Sequence, residues 1–177
     1  MPDTKGNLYI YEAVALRNQY DAHVELLSSL INNPGRKAGT AGLRDGKETI
    51  KPADDYNPEA MEKVLRKLRE RRLKLNHRLQ SANFSVHLRF GNNDISIAEA
   101  LETRKALQQE IQVLYGRVLD SAYTTVIHKE ERDITDRPRF GFTQSYRLYR
   151  NALNRLRRLE NAIHQANHTN TVDFKDE

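Results

Sequence analysis

The sequence predicts an all-α protein made of duplicated long helical hairpins, forming an antiparallel four-helix bundle or coiled coil. Three observations predict it. First, Glu12-Ala13-Val14-Ala15-Leu16-Arg17 returns as Glu99-Ala100-Leu101-Glu102-Thr103-Arg104, and Leu79-Gln80-Ser81-Ala82-Asn83 returns as Ile163-His164-Gln165-Ala166-Asn167. Second, Ile97, Ala100, Arg104, Leu107, Ile111, Leu114 and Val118 step by three and four, the spacing of one helix face. Subtracting 87 from each gives Ile10, Ala13, Arg17, Tyr20, Val24, Leu27 and Ile31, so the repeat preserves the seam itself. Third, Leu65, Leu68, Arg72, Leu75, Leu79 and Ala82 map 84 residues on to Tyr149, Ala152, Leu156, Leu159, Ile163 and Ala166.

Taken in order, the first helix covers roughly residues 8–31, and the first hairpin spans 8–83. Asn83 stands just past its last seam residue, and Asn167 stands at the same place in the second hairpin, 95–168. Asparagine tolerates the left-handed conformation that ends helices, so both are expected as C-caps. Between the hairpins, Ser85 to Phe90 and Ile95 to Ile97 flank the turn signal Gly91-Asn92-Asn93, which suggests a small β-hairpin at that end. Leu8 to Ile10 and Thr171 to Phe174 fall at the same end and would extend it into a minor sheet. The opposite end carries two long loops, 32–57 and 128–142, longer than adjacent helices need and open to a docking role for a protein partner. With 177 residues, the chain reads as a single domain, 1–177.

Composition narrows the function classes. There is no cysteine, hence no disulfide framework, thiolate metal site or cysteine nucleophile, and a cytoplasmic address is the default expectation. Met1 to Asn7 is short and polar, and no run approaches the roughly 18 consecutive apolar residues of a membrane span, so neither export nor membrane insertion is expected. The net charge is +5, which fits an acidic partner or long solvated helices. Its distribution is uneven: each hairpin pairs an acidic first helix with a basic second one. Arg66, Arg69, Arg71, Arg155, Arg157 and Arg158, with Tyr146 and Tyr149 nearby, form the candidate nucleic-acid surface. No helix-turn-helix, zinc-finger or RNA-binding signature accompanies them, and the acidic helices offer the same charges an internal destination.

Few residues invite a chemical reading. Arg17 and Arg104 occupy seam positions where leucine is expected, and Arg72 does so on the second helix, so these three are candidates for polar register in the seam or in an oligomer. A ligand pocket around the arginines is the sharper alternative. Glu12 and Glu99 lie five residues before their arginines, roughly 140° around an ideal helix, so partners on other helices or subunits are expected for them. Gly42-Leu43-Arg44-Asp45-Gly46-Lys47-Glu48 has the outline of a phosphate-binding loop, but its glycines are too close, Glu48 replaces the magnesium-binding hydroxyl and no strand precedes it. His164 and His168 have i, i+4 metal-ligand spacing without a neighbouring acidic third ligand. No catalytic residue, cofactor or metal site is expected.

Glu-Ala-(Val/Leu)-x-x-Arg opening a hairpin, Ala-Asn closing it, a glycine turn and a second Glu-Ala-Leu-x-x-Arg helix together resemble the septicolysin-like family of small bacterial proteins. The resemblance spans about Leu8 to Ile31 and Asn57 to Val172, leaving 32–56 as a longer loop. It implies an all-helical hairpin duplication without an established biochemical activity, and the family's label implies an oxygen-stable haemolysin. A cytolysin acting on membranes is accordingly one alternative, although the sequence has no amphipathic strand long enough for a β-pore. A nucleic-acid-binding protein using the basic helices is the other. The leading expectation is a non-enzymatic, self-associating interaction or scaffold protein, because apolar residues outside the seam, Leu26, Val113 and Leu148 among them, exceed what one two-helix seam buries.

Overall fold

A computed structural model describes residues 7–32, 52–130 and 132–176. The chain is mainly helical, with small antiparallel strand pairs: β1 (Asn7–Tyr9), α1 (Ile10–Asn32), α2 (Pro58–Ser85), β2 (His87–Phe90), β3 (Asn93–Ser96), α3 (Ile97–Asp120), β4 (Thr125–Ile127), β5 (Ile134–Asp136), α4 (Phe142–Thr169) and β6 (Thr171–Asp173). Two compact units result, one from residues 1–82 and 170–177, the other from 83–169.

In the first unit α1 and α2 run antiparallel, as the cross-links Asp21 to Arg72 and Ser28 to Arg69 show by their opposed numbering. Asn57 accepts the Ala60 N–H at 3.1 Å, and Pro58 opens the helix where its missing N–H costs nothing. Ile10, Ala13, Tyr20 and Leu27 are buried on α1, and Leu65, Leu68, Leu75, Leu79 and Ala82 on α2. These are seam positions.

The second unit repeats the plan. Glu110 to Arg155, Tyr115 to Tyr149 and Arg117 to Ser145 order α3 and α4 antiparallel. Ile97, Ala100, Leu107 and Ile111 on α3 are buried, as are Ser145, Ala152, Leu159, Ile163 and Ala166 on α4.

The strands obey the duplication too. β2 pairs with β3, placing Arg89 opposite Asp94 and Leu88 opposite Ile95. β1 pairs with β6, placing Asn7 opposite Asp173 and Leu8 opposite Val172, the positions obtained by subtracting 87 from one strand and adding 84 to the other. Ile97 N–H donates to the Val86 carbonyl at 3.0 Å, and Ile10 N–H donates to that of Asn170 at the same distance. The strand after α4 thus closes the first unit as the strand after α2 closes the second.

Several expectations are corrected. Leu8 to Ile10 and Thr171 to Phe174 do not extend the Gly91 hairpin; β1 and β6 form their own two-stranded ladder. Only Gly91, with φ +63°, takes the left-handed conformation among the described residues. Asn83 and Asn167 are therefore not C-caps: α2 continues to Ser85 and α4 to Thr169, so both asparagines lie inside helices. The loop 128–142 is partly ordered as strand, since Val126 pairs with Thr135 and Ile127 with Ile134. The phosphate-loop-like segment Gly42 to Glu48 lies outside the described residues.

Candidate functional site

The two Glu-Ala motifs cap helices. Ser96 accepts the Glu99 N–H at 3.2 Å while Glu99 Oε2 accepts the Ser96 N–H at 2.7 Å, a reciprocal box that satisfies otherwise orphaned donors of the first turn. Glu12 makes the matching half of it, accepting the Tyr9 N–H at 2.8 Å. Instead of reaching other helices or subunits, both carboxylates turn back on their own backbone. The hydrogen bonds from Ser96 hold the Glu99 carboxyl below its ordinary range. Its contribution to stability is therefore complete above the ordinary carboxylate pKa and fades as pH falls through the lowered value. Relative to the intrinsic exchange rate at each pH, protection of the first-turn amides of α3 should fall on acidification, and Glu99→Gln should flatten that dependence. Ser96→Ala should cost about 1 kcal/mol by denaturant unfolding.

Arg17 and Arg104 sit at equivalent seam positions, and each has a buried Nε with no hydrogen-bond partner among the described residues. The Arg17 guanidinium tip does reach Asn18 Oδ1 at 3.4 Å. Arg72, the third candidate for polar register, is half exposed and bonds the Asp21 carboxylate. It therefore ties α2 to α1.

Three arginines of the basic α2 are engaged. Besides Arg72, Arg69 donates to Ser28 Oγ at 3.1 Å, and Arg71 lies 3.9 Å from Asp176. Asp176 also accepts the Tyr20 hydroxyl, whose pKa is raised first by burial and then by that bond. Arg66 lines an open groove with Ile31, Glu62 and Leu73. On α4, Arg155 lies 3.5 Å from Glu110, whereas Arg157 and Arg158 make no ion pair among the described residues. The proposed nucleic-acid surface thus divides into occupied and free cations.

Sequence reading missed a junction in the second unit. Arg117 Nε donates to the fully buried Ser145 Oγ at 3.2 Å, and its guanidinium lies 3.7 Å from the Phe140 ring centroid. Ser145 in turn donates to the Gly141 carbonyl at 3.0 Å. This fastens the end of α3 to the start of α4. One turn away, Phe142 and Tyr146 stack at 5.8 Å, with the Arg150 guanidinium 6.0 Å from the Tyr146 ring. The i, i+4, i+8 spacing of those three residues was visible in the sequence.

His164 and His168 belong to no group of three or more His, Cys, Asp or Glu able to hold a metal among the described residues. No helix of the described residues is long and apolar enough to cross a membrane.

The class defined so far is a mainly helical protein of two repeated hairpin units. No protein-family model matches the chain, and no curated protein matches it. It is similar to the crystal structure of a functionally unknown conserved protein from Corynebacterium diphtheriae, with a TM-score of 0.66 and 17% identity over 94% of this chain and 99% of that one. At that identity the likeness shows the fold alone.

Proposed function

We propose that the protein is a non-enzymatic, self-associating helical scaffold whose hairpins bundle with those of neighbouring copies as antiparallel helices. One observation carries this reading: the duplication retains apolar side chains at exposed positions. Leu26 is 56% exposed, and its repeat equivalent Val113 is 73% exposed. Val64 and its equivalent Leu148 are exposed at 41% and 36%. A core requirement does not explain large apolar residues kept outside the core twice, whereas a surface used for association does. The polar motif residues support the same view, since Glu12 and Glu99 are engaged in capping and Ser145 in the helix junction. A cytoplasmic setting and kinship with septicolysin-like proteins are part of the proposal.

The test is a paired substitution, Leu26→Glu with Val113→Glu, followed by sedimentation velocity. Because both sites are solvent-facing, helical circular dichroism should be retained while the sedimenting species falls to the monomer. An unchanged multimer would place association elsewhere and remove this observation's support.

A further inference from the structure

The outward face of α4 is an unspent cationic stripe. On an ideal helix, steps of three, four, seven and eight residues return to nearly one azimuth, so Tyr146, Arg147, Arg150, Asn154, Arg157 and Arg158 lie along one side. Ser145, Ala152 and Leu159 point the opposite way into the core. Glu160 is the only carboxylate in the helix; it stands three residues from Arg157 but forms no ion pair with it among the described residues. The contrast with α2 is chemical. There Arg71 and Arg72 face the carboxylates of Asp176 and Asp21 and Arg69 bonds Ser28, whereas Arg147, Arg150, Arg157 and Arg158 find no carboxylate within ion-pair distance among the described residues. Four unneutralised guanidinium groups on one side of a helix repel one another, which a bound polyanion relieves.

Aromatic rings stand at the start of the stripe. Phe142 and Tyr146 are stacked nearly parallel, with an interplanar angle of 7°, yet they remain 47% and 45% exposed. Arg147, Arg150 and Asn154 share with Tyr146 an open groove of about 390 Å³. Guanidinium groups for phosphates and ring faces for bases are the components of sequence-tolerant single-strand recognition. Duplex bases are already stacked and offer these rings nothing. An anionic membrane would favour a run of aliphatic side chains between the arginines, whereas here a single one, Leu153, 39% exposed, stands beside Asn154 between Arg150 and Arg157.

We infer that the solvent face of α4 binds single-stranded nucleic acid, its arginines holding the phosphates and the Phe142 and Tyr146 pair receiving a base. The surface extends from Tyr146 to Arg158, about 18 Å along the helix, and reads no sequence.

Fluorescence anisotropy of a labelled oligouridine titrated with the full chain tests this, with a self-complementary duplex and anionic vesicles as competitors. Binding should weaken with salt, with a log–log slope of about −3 for four neutralised phosphates. Arg150→Gln with Arg157→Gln should roughly halve that slope. Tyr146→Ala should weaken binding roughly five- to hundred-fold, while Arg66→Gln, in the other unit, should change little. These positions are exposed, so circular dichroism of each variant should match the native chain. Absence of binding at low salt would overturn the inference. So would equal affinity for the duplex, indifference to Tyr146→Ala, or a preference for the vesicles.

Discussion

Leu159→Ala should destabilise the second unit by about 2–5 kcal/mol, and Leu75→Ala should do the same to the first. The two leucines are repeat equivalents, and each is 0% exposed. Each lies fully buried in its hairpin seam, where removing most of a side chain leaves a cavity that close-packed surroundings collapse only in part. Denaturant unfolding gives the magnitude, and hydrogen exchange assigns it: Leu75→Ala should loosen α1 and α2, Leu159→Ala α3 and α4. Leu73→Ala, at a side chain 70% exposed, should stay within about 0.5 kcal/mol of the native chain. A loss below about 1 kcal/mol at either seam leucine would mean that the core lies elsewhere.

Removing residues 171–177 should be equally damaging, although it takes away no helical residue. Val172 and Phe174 are 3% and 9% exposed, and burying such side chains contributes about 1.5–3 kcal/mol each. The deletion also strips β1 of its ladder and deprives the Tyr20 hydroxyl of Asp176. Exchange protection should fall in α1 and α2 and persist in the α3 and α4 hairpin, where β2 and β3 supply the corresponding closure. An unchanged exchange pattern in the first unit would contradict the role assigned to this strand.

The helical seams were legible because burial imposes a period that a single sequence displays. Ile10, Ala13 and Tyr20 recur in the structure as a buried row, as do their counterparts Ile97, Ala100 and Leu107, after which the buried position is Leu27 on α1 and Ile111 on α3. Polar pairing was less legible. Nothing in the local sequence connects Asn7 with Asp173, because a three-residue strand carries too little alternation to specify a partner across the chain. Asn83 and Asn167 were read as stops from the end of the seam, yet backbone hydrogen bonding carries each helix two residues further. Glu12 and Glu99 were judged against their arginines, when the relevant neighbour was the N–H three residues earlier. The arginines illustrate the general difficulty. Arg71 and Arg157 look alike in sequence, and only the fold brings Asp176 to one and leaves the other facing solvent.

The most direct test of self-association is the mass of the native, untagged protein by light scattering coupled to size exclusion, across micromolar concentrations. The scaffold reading predicts one discrete multimer of the 20.5 kDa chain, stable to dilution across that range. A strictly monomeric mass at every concentration would contradict it.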